Sequence, residues 1–68
     1  MSPTPRQIGM TLKRAREKAG MSQAQLAAKA RISREYLLRL EAGRHDPTVG
    51  TLQRLARALR VPLLRLLQ

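Results

Sequence analysis

Fourteen lysines and arginines against four acidic residues dominate the chemistry available to this 68-residue sequence, giving a formal charge of +10 at neutral pH. A guanidinium engages phosphates and carboxylates through paired N–H bonds, so recognition of an anionic partner is the chemistry these residues offer. Nucleic acid fits that excess best, because displacing condensed counterions from phosphates supplies affinity. Catalysis has little to stand on. There is no cysteine and one histidine, His45, and the serines and threonines sit where they can cap helices, so no nucleophile–base pair forms and no enzyme is expected. His45 has no cysteine partner and few acids nearby, which argues against a metal site or a cofactor and makes it a loop residue rather than a pH switch. A membrane surface is also anionic, but the longest apolar stretch, Val61 to Leu67, is broken by Arg65 and is far short of the roughly 20 residues that span a bilayer. The opening Met1-Ser2-Pro3-Thr4-Pro5-Arg6 lacks the apolar run of a secretory signal, so a cytoplasmic protein is expected.

The elements that must position these cations are helices. Hydrophobic residues make up 43% of the sequence, with no Phe or Trp and only Tyr36 among the aromatics, a palette of Leu, Ala, Ile, Val and Met that favours helix over strand. Thr4-Pro5-Arg6-Gln7 reads as a capping box with Pro at the first helical position, opening a helix that runs to Ala19 and stops at Gly20. Its Ile8, Leu12, Ala15 and Ala19 follow the spacing of one buried face. Ser22-Gln23-Ala24-Gln25 opens a second helix, with Leu26, Ala27 and Ala30 inward. Ser33 caps a third, Arg34 to Ala42, which buries Leu37 and Leu40 and ends at Gly43. Thr48 caps a fourth with an inner stripe of Leu52, Leu55, Ala56 and Leu59, and Pro62 opens a short fifth turn ending in Leu66 and Leu67. No segment alternates with period two, so the prediction is an all-α single domain over residues 1–68.

Two short helices joined by only Arg31, Ile32 and Ser33, the first lined by Leu26 and Ala27 and the second by Leu37 and Leu40, form a helix-turn-helix unit over about residues 22–42. From Ile8 to Leu67 the sequence resembles the phage-repressor and Cro type, or XRE, helix-turn-helix family. The residues that carry the likeness are Ser22-Gln23-x-x-Leu26-Ala27, Ile32-Ser33, Leu37-x-x-Leu40-Glu41-x-Gly43, Pro47 and Leu52-x-x-Leu55-Ala56-x-x-Leu59-x-Val61. The resemblance implies a five-helix lambda-repressor-like bundle and a transcription regulator that binds double-stranded DNA. Arg31 and Arg60 stand where that family usually has glycine, which implies a left-handed backbone at each.

Stepping the third helix at about 100° per residue from Leu37 puts Leu40 and Glu41 inward and gathers Glu35, Leu38, Arg39 and Ala42 on the opposite side, with Arg34 at its margin. A helix entering the major groove by its N-terminal half would aim Arg34, Glu35, Leu38 and Arg39 at base edges or the flanking backbone, and the family's base-contacting positions match Arg34, Glu35 and Arg39. Arg suits guanine, Glu can accept from cytosine, and Leu38 either meets a thymine methyl or shields the first helix. Backbone contacts are expected near helix starts, where free N–H groups favour phosphate. Gln23 is carried over from a family position that binds the DNA backbone; Arg44 and Thr48 flank the groove, and Arg31 is either a solvated turn residue or a further phosphate contact. Glu41 points inward and needs a partner, and the resemblance supplies one by pairing its position with that of Arg16 in a buried ion pair.

Leu63, Leu64, Leu66 and Leu67 cover more of the last helix than one five-helix core can hide, so they are expected to form a homodimer interface that would match a palindromic DNA site. The alternative function on this fold is a protein-interaction module, such as an antitoxin subunit or coactivator-like adaptor, whose essential surface binds a toxin or another regulator.

Overall fold

In the computed structural model, which describes residues 2–68, every helix but the last begins where a hydroxyl side chain satisfies an otherwise orphaned amide. The order is α1 (Pro5–Lys18), α2 (Gln23–Ala30), α3 (Arg34–Glu41), α4 (Val49–Leu59) and α5 (Leu63–Leu66), and the described residues contain no strand. Both capping boxes close. Thr4 Oγ1 accepts from the Gln7 N–H at 3.1 Å while Gln7 Oε1 accepts from the Thr4 N–H at 2.8 Å, and Ser22 and Gln25 repeat the exchange at 3.0 and 2.8 Å. Ser33 and Thr48 accept from Tyr36 and Thr51 N–H groups at 3.0 and 3.1 Å. Each such cap contributes about 1 kcal/mol.

The helix ends share one device. Met21, Ile32, Arg44 and Val61 each donate a backbone N–H five residues back, to Arg16, Ala27, Arg39 and Ala56, and the residue just before each donor has positive φ. Two of those residues are glycines, Gly20 and Gly43; the other two are Arg31 (φ 60°) and Arg60 (φ 57°), the left-handed positions the sequence implies. α1 and α3 stop one residue short of the expected Ala19 and Ala42, which serve as caps to the reversal.

The core is built from leucines. Leu12, Leu26, Leu37, Leu40, Leu55 and Leu66 are fully buried, each such side chain stabilising the fold by about 1.5–3 kcal/mol, and Ile8, Ala27, Ala30, Leu52, Ala56 and Leu59 complete the cluster. α2 packs on α4 and α3, α1 on α3, and α5 closes the open end against α4 and α1. Two expectations change. Ala19 lies beyond the last turn of α1 and is exposed, while Arg16, in that last turn, is buried. Leu66 is fully buried within the chain's own core, so it has no surface to give to a second copy; among the four C-terminal leucines Leu64 is the exposed one, at 65%, while Leu63 and Leu67 are half-buried against the core.

One close contact has no counterpart in the apolar pattern. Gly9 faces the end of α3 so closely that a Cβ there would collide with the Leu40 carbonyl oxygen and stand 2.9 Å from that of Glu41. That approach sets α1 directly over the C-terminal end of α3 and brings Arg16 within reach of Glu41.

Candidate nucleic-acid interface

The outward face of α3 carries Arg34, Glu35, Leu38 and Arg39, all exposed, with Leu38 at 42%, while Leu37, Leu40 and Glu41 anchor the other side in the core. The helix is short, capped at one end by Ser33 and at the other closed by the Arg44 N–H, which donates to the Arg39 carbonyl at 2.9 Å. Arg44 is therefore fixed by its backbone beside the C-terminal end of α3 with its side chain exposed. Tyr36 meets His45 edge-to-face, ring centroids 4.9 Å apart, and so packs the following loop against α3.

Beneath this face lies a buried polar network. Arg16 Nε donates to Glu41 Oε2 at 2.7 Å and its Nη2 to Oε1 at 3.1 Å, a bidentate pair linking the last turn of α1 to the last residue of α3. Arg16 Nη1 donates to the Met21 carbonyl at 2.9 Å, tying in the α1–α2 turn, and Gln23 Nε2 donates to Glu41 Oε1 at 3.0 Å, tying in the start of α2. Hydrogen bonding to Glu41 raises the Arg16 pKa above its ordinary value, against the opposing pull of burial. No buried side-chain polar atom among the described residues is left without a partner. The network locks the starting point of α2 and the end of α3 to the same helix, and thereby fixes the angle at which α3 stands out.

Gln23 thus has a structural duty that sequence reasoning did not assign it: one amide hydrogen is spent on Glu41, leaving the other free. The first-turn N–H groups of Gln23 and Ala24 have no protein acceptor, and they open into a shallow pocket of about 450 Å³ that is also lined by Lys13 and Arg34. Two cations flanking free amides at the start of an eight-residue helix make a shallow electropositive cradle next to the N-terminus of α3. Lys13 was not singled out from the sequence. Its spacing three residues before Arg16 is the available signal, since that step keeps both on neighbouring faces of α1.

Thr48 caps α4 as its sequence position predicts. Its hydroxyl accepts from the Thr51 N–H and donates to Thr51 Oγ1 at 3.1 Å, so both functions of that hydroxyl are engaged and Thr51, though polar, is buried without penalty. The groups left to meet a phosphate at the start of α4 are the N–H groups of Val49 and Gly50. Arg31 is exposed at the left-handed cap of α2. It lines a different groove, at the far ends of α2 and α4, and shares no pocket with Gln23 or Arg34. Among the described residues no cluster of His, Cys, Asp and Glu could hold a metal ion, and no described helix is long and apolar enough to cross a membrane.

Comparison with known proteins bears on this geometry directly. The profile of a helix-turn-helix family, HTH_3, matches residues 12–66. The HTH-type transcriptional regulator y4dJ of Sinorhizobium fredii is 43% identical over 54 residues, 79% of this chain and 70% of the relative. The immunity repressor protein of Bacillus phage phi105 is 40% identical over 52 residues, 76% of this chain, which spans only 36% of that repressor's length. Among solved structures, the restriction-modification controller protein C.AhdI of Aeromonas hydrophila superposes with a TM-score of 0.89 at 27% identity, covering 91% of this chain and 94% of its own. The clp gene regulator ClgR of Corynebacterium glutamicum gives 0.88 at 27%, covering 91% and 80%. With the matched residues running through the whole of α3, the Arg16–Glu41 network beneath it and the closing α5, the chain belongs to the HTH_3 helix-turn-helix family of DNA-binding transcription regulators.

Proposed function

We propose that the chain reads a short operator in duplex DNA by seating the N-terminal half of α3 in the major groove, and regulates transcription from that site. The observation that carries this reading is the joint exposure of Arg34, Glu35, Leu38 and Arg39 on one face of a helix whose opposite face is anchored by Leu37, Leu40 and the Arg16–Glu41 pair. Arg39 pairs bidentately with guanine, Glu35 accepts from the cytosine amino group, and Leu38 covers a thymine methyl. Arg34, at the rim of the cradle with Lys13, Gln23 and Ala24, spans base edge and backbone. Arg44 and the free amides of α2 and α4 hold phosphates and set register. Likeness to an immunity repressor supports repression as the sign of regulation.

The same reading makes the active species a homodimer, with exposed Leu64 and half-buried Leu63 and Leu67 of α5 meeting across a twofold axis. Two α3 helices then address half-sites about 34–36 Å apart, one turn of DNA. The site of action is the cytoplasm, where such DNA lies. Selection from a pool of random duplexes is the test: a palindromic consensus with conserved G·C pairs in each half-site supports the reading, and recovery of duplexes without any consensus contradicts it.

A further inference from the structure

The C-terminal ends of α2 and α4, with their cap residues, form a groove of about 540 Å³. Five cations line it, Lys29 and Arg31 from α2 and its cap, and Arg54, Arg57 and Arg60 from α4 and its cap, with only Ala30 and Ala58 between them. None of the five is in an ion pair; the one salt bridge among the described residues is Arg16–Glu41. The helix C-termini favour some positive charge there, but that accounts for a residue or two at each end and not for the backbone conformation.

Arg31 and Arg60 are the only non-glycine residues with positive φ among the described residues, and both face this groove. At each position glycine is the residue of least strain. The equivalent positions ending α1 and α3 do carry glycine, Gly20 and Gly43, and neither lies in the groove. Strain is thus accepted twice, and both times it adds a guanidinium to one cationic surface.

We infer that this groove is a second polyanion site, which holds a stretch of DNA backbone separate from the one under α3. The lining favours phosphate over an acidic protein, because a protein partner requires aromatic or large apolar anchors at the centre of its interface, and alanine is the largest apolar side chain here. Guanidinium forks, by contrast, match phosphate oxygens in pairs. At 1.5 Å per residue the groove lies about 12 Å along α2 and about 16 Å along α4 from the amides that start those helices, so one phosphate cannot serve both sites. The occupant is a stretch of duplex backbone whose phosphates are not those held at the starts of α2 and α4.

Arg31→Gly combined with Arg60→Gly tests this without endangering the fold, since glycine relieves both left-handed residues and the thermal midpoint should not fall. The isotope-labelled full chain, wild type and double variant, is titrated at low salt with a short mixed-sequence duplex and, separately, with polyglutamate, following backbone amides by NMR. In the wild type, amides of residues 29–32 and 57–61 should shift saturably with duplex and not with polyglutamate. In the double variant those shifts should saturate only at higher duplex concentration while amides of α3 respond as before, and the slope of log affinity for the groove against log salt should fall by about 1.8, two contacts at about 0.9 each. Groove amides that ignore duplex, that respond equally to polyglutamate, or that respond unchanged in the double variant overturn the inference. Silence of α3 amides alongside a responsive groove would instead count against the reading helix.

Discussion

Arg16 and Glu41 do their work through each other, because either one alone would be a charge held at 9% exposure. Truncating either to Ala should cost about 3 kcal/mol, while the double variant should cost less than the sum, since no stranded charge remains. Chemical denaturation of the four proteins in the cycle measures this, and additive losses would contradict the coupling. The sign of the pH dependence follows from the raised Arg16 pKa: the contribution is fully present below the ordinary arginine value and is lost only as pH climbs through the raised one, so it should be constant across the neutral range. Gly9 makes a sharper prediction. Gly9→Ala ordinarily stabilises a helix, but here the Cβ strikes the Leu40 carbonyl, so the fold should lose about 1–3 kcal/mol. Glu41 could be placed inward from its angle on the helix, whereas Gly9 could not be picked out, because a close helix crossing is a property of two segments in space and leaves no periodicity in either. Gln23 illustrates the same limit: its position at the start of α2 is plain in the sequence, while its bond to Glu41 depends on where α3 ends.

Helix boundaries were legible to within a residue because caps are local chemistry, with Thr4, Ser22, Ser33 and Thr48 each bonding an amide three residues ahead. The left-handed backbone at Arg31 and Arg60 was legible by comparison with a family pattern rather than from arginine itself, which disfavours it. What could not be read was the sorting of apolar residues in the shortest element: four leucines around one turn give no angular contrast, so burial of Leu66 and exposure of Leu64 emerge only once α5 docks on α1 and α4. For α3 the cap at Ser33 has a predictable weight. Ser33→Ala should cost about 1 kcal/mol of stability and fray the N-terminal turn that holds Arg34 and Glu35. Binding to the selected duplex should then weaken more than binding to a scrambled one, and equal loss on both would show that this turn takes no part in reading.

At the scale of the whole molecule, one small, highly charged body has cations for reading and holding DNA and an apolar patch for assembly. In the proposed dimer Leu64 carries the interface: replacing it with Glu should leave the monomer core intact, because Leu66 supplies the core contact, and should shift sedimentation from dimer to monomer. A wild-type chain that sediments as a monomer, free at high concentration and on DNA, would contradict the dimer. The proposed function divides reading and holding between Arg39, on the outward face of α3, and Arg44, anchored by its backbone beside the helix end. The direct measurement is affinity for the selected and scrambled duplexes over a range of salt, for Arg39→Ala and Arg44→Ala. Arg39→Ala should lose about 1–3 kcal/mol on the selected duplex, relax preference at one base pair and leave scrambled DNA little affected. Arg44→Ala should weaken both duplexes alike and lower the slope of log affinity against log salt by about 0.9. If Arg39→Ala weakened both duplexes equally, or neither, α3 would not be the reading helix.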